Sequence, residues 1–227
     1  MSGVPDLHLF LLQAFTSATE AEKSAALHQA VDHRHNDFVS LLLAWGADVD
    51  GRDAEGRQPL QTAIDIGALE VARTLLSWDA AVDGLEGGEN PLQSAAGNGD
   101  IEAVELLLSY GARVIEGRRS LLILATRFGG GDVLVIKRLL EAGAAADLQD
   151  EGRTALHWAA QLGQAGAVRE LLAAWPQGFA VYSLRQIKMG QLLTPLGGSI
   201  LHLHRHFTLY FINWRSRGAN KGQLLRP

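Results

Sequence analysis

Residues 150–160 read Asp150-Glu151-Gly152-Arg153-Thr154-Ala155-Leu156-His157-Trp158-Ala159-Ala160, and Leu171-Leu172 follow eleven residues further on. A turn containing Asp and Gly opens a short apolar-faced segment, and a second apolar face comes behind it. Four upstream segments have the same shape: AALHQA with Leu27, QPLQTA with Leu60, NPLQSAA with Leu92 and SLLILAT with Leu122. The spacings of the five leucines are 33, 32, 30 and 34 residues. A period near 33 marks a stacked repeat architecture, in which one unit cannot bury its apolar face alone.

Each unit carries a second apolar triplet at i, i+3 and i+4. The five are Val39, Leu42, Leu43; Ala72, Leu75, Leu76; Val104, Leu107, Leu108; Ile136, Leu139, Leu140; and Val168, Leu171, Leu172. That spacing lines one face of a helix. The triplets end at Gly46-Ala47, Gly111-Ala112 and Gly143-Ala144, with Asp79-Ala80 as the exception. Glycine suits a left-handed helix end, and Asp is among the few other residues that tolerate it. Pro59 and Pro91 fit first helical positions, where the missing N–H is not needed. Ala30, Ala63, Ala95, Ala125 and Ala159 are small enough for paired helices to approach closely. The predicted unit is helix, tight turn, helix, and a turn such as Asp53-Ala54-Glu55-Gly56.

These segments, residues 150–160 and 53–60 above all, resemble ankyrin repeats over about two thirds of the chain. The resemblance implies an all-α solenoid of stacked helix-turn-helix units with hairpin-like turns. Repeat boundaries are expected near 24–52, 53–83, 84–115, 116–147 and 148–175, with 1–23 as an N-terminal capping region, where Ser17 and Glu20 have capping-box spacing. The family's Thr-Pro-Leu-His signature is complete nowhere. Thr154, Leu156 and His157 match it, while Gln61, Gln93 and Ile123 replace its histidine in the middle repeats. The resemblance implies that His28 and His157 tie turn to helix. The fourth repeat has two extra residues at Gly129-Gly130-Gly131, which predicts an irregular, mobile loop.

The net charge of −5 conceals a division. Residues 1–175 hold all 25 acidic residues and 13 of the 20 basic ones, a formal −12, whereas 176–227 hold seven basic residues and no acidic one. At Trp175-Pro176 the pattern stops, and an irregular C-terminal tail is expected. It carries repeat-like fragments around Leu193 to Leu196 and Ser199 to His202. Its sparse basic residues speak against a nucleic-acid or membrane surface, although binding of the tail to such an anionic surface is an alternative function. Another alternative takes the chain as a fragment or alternative product of a larger protein of this kind. A third role for the tail is to cap the acidic stack. Asp6, His8 and Gln13 break any leader-like pattern at the start, and no apolar run approaches the roughly 20 residues of a spanning helix. The expectation is a soluble, intracellular protein, cytoplasmic or nuclear.

The absence of cysteine removes disulfides, thiolate metal sites and Cys nucleophiles. His202, His204 and His206 alternate at a ligating spacing, but strand context and a fourth ligand are missing, so no metal site is assigned. His33 and His35 are expected at the surface. No nucleophile elbow or phosphate loop is present, and neither catalysis, a cofactor nor a small-molecule substrate is expected.

The resemblance implies instead that a protein partner docks on the concave face, at first-helix ends and turn tips. On the helices those positions are Asp32, His33, Asp65, Ile66, Gly97, Asn98, Arg127, Phe128, Gln161 and Leu162. On the tips they are Arg52, Ala54, Glu55, Arg57, Leu85, Glu86, Glu89, Arg118, Arg119, Glu151 and Arg153. The mixture of signs suits a protein better than a phosphate backbone. Trp45, Trp78 and Tyr110 recur with the repeat and are expected to form a ladder shielding helix ends.

Overall fold

A computed structural model describes residues 18–85, 90–115 and 120–174. These residues form five helix pairs: α1 Glu20–Asp32 with α2 Asn36–Ala44, α3 Pro59–Asp65 with α4 Leu69–Ser77, α5 Pro91–Asn98 with α6 Ile101–Ser109, α7 Leu121–Arg127 with α8 Val133–Glu141, and α9 Ala155–Gln161 with α10 Ala165–Ala174. Among the described residues there is no strand, only an isolated bridge between Asp150 and Arg153 at one turn tip. First helices pack on first helices in sequence order, and second helices on second helices, which gives a two-layered stack.

The periodic residues make the core. Leu27, Leu60, Leu92, Leu122 and Leu156 are buried, as are the five small alanines and the leading triplet residues Val39, Ala72, Val104 and Ile136. In the fifth pair Val168 and Leu172 are half-buried while Leu171 has no exposure. Each fully buried leucine removes enough apolar surface to contribute about 2 kcal/mol before ordering costs.

The predicted stops operate through one hydrogen-bond pattern. After α2, Gly46 N–H donates to Leu43 O and Ala47 N–H to Leu42 O, both at 3.0 Å, and the same two bonds recur at Gly111-Ala112 and Gly143-Ala144. Asp79 takes the glycine's place with φ +62°; its N–H donates to Leu76 O and that of Ala80 to Leu75 O. Trp45, Trp78 and Tyr110 are the closing residues of α2, α4 and α6. Trp78 and Tyr110 are exposed and Trp45 is half-buried, so a solvent-facing aromatic marks the same edge of successive units.

Two expectations need correction. The first helix is capped by Thr19, whose hydroxyl accepts from Glu22 N–H at 3.3 Å while the Glu22 carboxylate accepts from Thr19 N–H at 2.8 Å. Glu20 instead pairs with Lys23 at 3.0 Å, and Ser17 lies outside the described residues. Thr19-Glu22 and Ser17-Glu20 share the same spacing, and the helix start selects between them. Second, the glycine run of repeat four is irregular but closely packed at Gly129 and Gly131, while Gly130 faces open space. A Cβ on Gly129 would sit 2.5 Å from Ala96 O, and one on Gly99 would sit 2.5 Å from Gly129 O. Backbone meets backbone there, and only glycine allows it.

Turn tips are linked to their neighbours by side chains. Asp50 accepts from Ala81 N–H at 3.0 Å and from Gln58 Nε2 at 2.9 Å, and Gln58 Oε1 accepts from Leu85 N–H at 2.8 Å. One repeat later Asp83 accepts from Arg113 N–H at 2.8 Å and Arg113 Nε at 2.6 Å. Asp50 and Asp83 are each three residues past the Ala of their repeat's stop, and Ile115 holds that place in the next unit.

Candidate functional site

Residue five past the motif leucine lies at or next to the end of each first helix. Along the stack it is Asp32, Asp65, Gly97, Arg127 and Gln161. Asp32, Asp65, Arg127 and Gln161 are exposed, as are His33, Asn98, Phe128 and Leu162, while Ile66 is half-buried. The stack therefore aligns the ends of its first helices into one surface that is acidic over repeats one and two and basic at repeat four.

At the acidic end hydrogen bonds link side chains of neighbouring repeats. Gln61 Nε2, in the place of the family's histidine, donates to Asp65 Oδ1 at 2.9 Å and to Ser94 Oγ of the next repeat at 2.7 Å. Arg34, in the turn between α1 and α2, donates to the backbone oxygen of Ile66. At the adjoining tip Arg57 N–H and Nε donate to Asp53 at 2.7 and 2.9 Å. Desolvation pushes the Asp53 carboxyl up, but those two hydrogen bonds and the guanidinium charge outweigh it and leave it below its ordinary value. Arg52 donates to Gly56 O at 3.2 Å, and Glu55 N–H donates to Asp53 Oδ1 at 3.0 Å, so this tip is ordered by its own polar groups.

The basic end is built differently. Arg127 closes α7 and lays its guanidinium 4.4 Å from the centre of the Trp158 ring and 5.0 Å from that of Phe128. Arg153 leaves the turn before α9, lies 5.0 Å from the Trp158 ring and donates to Gln161 Oε1 at 2.8 Å. One half-buried indole thus carries two exposed guanidinium groups, with Phe128 and Leu162 exposed beside them by 56% and 49%. Beneath them, Thr154 N–H donates to His157 Nδ1 at 3.2 Å, and Thr154 Oγ1 lies 2.8 Å from that nitrogen. Burial, with the charge of Arg153 adding to it, holds the His157 imidazole below its usual pKa and hence neutral. His28 Nε2 lies 2.9 Å from Gly51 O, so the first histidine also joins helix to turn.

Of the expected contact residues, Arg127, Phe128, Gln161 and Arg153 come together around one ring, and Asp65 and Ile66 join the polar network at the other end. Arg57 and Glu55 share the tip ordered by Asp53, 3.7 Å from one another. Leu85 is exposed at its tip. Glu86, Glu89, Arg118 and Arg119, the capping region before residue 18, and the tail with His202, His204 and His206 lie outside the described residues. Trp158 was not among the expected contacts, yet its signal was present: the position two past the motif leucine is Gln29, Thr62, Ser94, Leu124 and Trp158 in successive repeats. Among the described residues no three His, Asp or Glu side chains are grouped to hold a metal ion, and no helix is long and apolar enough to cross a membrane. A family model described as ankyrin repeats matches the chain in three copies, at residues 2–84, 27–117 and 92–181. A search of curated proteins gave no match.

Proposed function

We propose that this chain, which belongs to the ankyrin-repeat family, is a non-catalytic protein-interaction module or scaffold that holds a partner protein on the face built from its first-helix ends. Members of the family are generally protein–protein interaction modules and typically non-catalytic. The observation that carries the reading for this chain is the exposed Arg127, Phe128 and Arg153 gathered about the half-buried Trp158, because aromatic and arginine side chains fixed on rigid elements are the groups that dominate protein interfaces. The first helices also approach one another more closely along the stack than the second helices do, which supports placing them on its inner, concave side. A face held by helix ends needs little ordering when a partner arrives, so less of the contact energy goes into immobilising it.

The test is affinity capture from native lysate with the full chain and with the double variant Arg127→Ala/Phe128→Ala. Captured partner is expected to fall at least fivefold while helicity by circular dichroism stays the same. Equal capture by both proteins would move the docking site away from this end of the stack.

A further inference from the structure

Resting on that docking face, we infer that its basic end selects an acidic peptide segment, taking an aspartate or glutamate side chain between the guanidinium groups of Arg127 and Arg153 and an apolar neighbour against Phe128 and Leu162. Three observations carry the assignment.

Among the described residues neither guanidinium reaches a carboxylate, whereas Arg57, Arg113 and Arg138 each have one. Arg127 and Arg153 sit over one indole, at 4.4 and 5.0 Å from its centre, so the two positive charges lie within a Debye length of each other, roughly 10 Å at 0.1 M salt. Among the described residues no carboxylate offsets their repulsion. Arg153 gives one N–H to Gln161 Oε1, and the other N–H groups of the pair, held beside the ring, are the donors with which arginine grips a carboxylate.

The surrounding surface explains why a peptide is favoured over a bare polyanion. The aligned helix-end positions at the far end of the face are Asp32 and Asp65, which repel an extended chain of phosphates. Phe128 and Leu162 offer apolar area that only a mixed acidic and apolar segment uses. The occupant is taken to be a segment of another molecule rather than either flanking stretch. Residues 175–227 contain no Asp or Glu, and residues 1–17 contain only Asp6.

Selection of a displayed library of random twelve-residue peptides on the full chain at 50 mM NaCl tests this. Enrichment of Asp or Glu beside a large apolar residue is expected. Synthetic copies of the selected peptides should bind at least tenfold more weakly to Arg127→Gln/Arg153→Gln, and at least tenfold more weakly to the wild-type chain when their acidic residues become amides. Arg73→Gln, an exposed arginine on α4, should change nothing. The peptide exchange needs no protein variant, so a folding defect cannot imitate it. Peptides that tolerate the acid-to-amide exchange but lose binding with Phe128→Ala/Leu162→Ala would overturn the acidic class and leave the docking face standing. Peptides indifferent to all four residues would overturn both. A selection with no enrichment would overturn the present inference alone, since the docking face has its separate capture experiment.

Discussion

His157 shows how one side chain couples the binding end to the repeat beneath it. Its Nδ1 accepts from Thr154 N–H, so the proton of the neutral ring is on Nε2, and protonation would put a second donor where an acceptor is needed. Burial first and the charge of Arg153 second lower its pKa in the folded chain. The unfolded chain, near 6.5, therefore binds more protons in the interval between the two values, and stability falls as pH drops through about 6.5 and levels off below the folded value. Thermal melts from pH 7.5 to 5.0 should show this loss in the wild type and a shallower one in His157→Gln, whose amide oxygen can still accept from Thr154 N–H. Parallel pH slopes for the two proteins would exclude His157 as the source. The position was legible in the motif, but the pKa shift depends first on how far the fold buries the ring and second on the charge of Arg153, neither of which repeat spacing encodes.

Among the elements, the connection between α7 and α8 has the most misleading sequence. Helix faces were legible because the i, i+3, i+4 triplets report burial directly, and the Gly-Ala stops because a left-handed backbone restricts the residue type. Even Asp79 was readable on that ground. Three consecutive glycines instead read as looseness, since nothing local announces that Ala96 O and Gly99 occupy the space where side chains would go. Neighbouring backbone, 30 residues away in sequence, decides the outcome. The cap of α1 was ambiguous for a related reason: two pairs had the right spacing, and only the helix start distinguishes them. Gly129→Ala should cost about 1–3 kcal/mol through overpacking against that backbone. Gly130→Ala faces open space and should cost only the roughly 1 kcal/mol of a left-handed alanine. Urea denaturation of the two variants measures both, and a larger loss at Gly130 would contradict the packing argument.

At the scale of the whole molecule, stability is a chain of neighbour contacts, because each repeat touches mainly the units beside it. The side-chain links between turn tips then matter according to how dry they are. Asp50 accepts from Gln58, which is 4% exposed, and from Ala81, and so ties the first repeat to the second. Removing its carboxylate leaves the Gln58 amide and the Ala81 N–H without that acceptor. Asp83 holds Arg113, whose side chain is 75% exposed, and water can replace that link. Asp50→Ala should therefore cost about 1–3 kcal/mol and Asp83→Ala less than about 1 kcal/mol, although both carboxylates occupy the same place in the repeat. Because coupling runs between neighbours, the Asp50 variant should speed amide hydrogen exchange in α1 to α4 and leave α7 to α10 close to the wild type. Exchange that quickens evenly from α1 to α10 would mean the stack melts as one cooperative body, and the difference between its two ends would then have no bearing on how the basic end is presented to a partner.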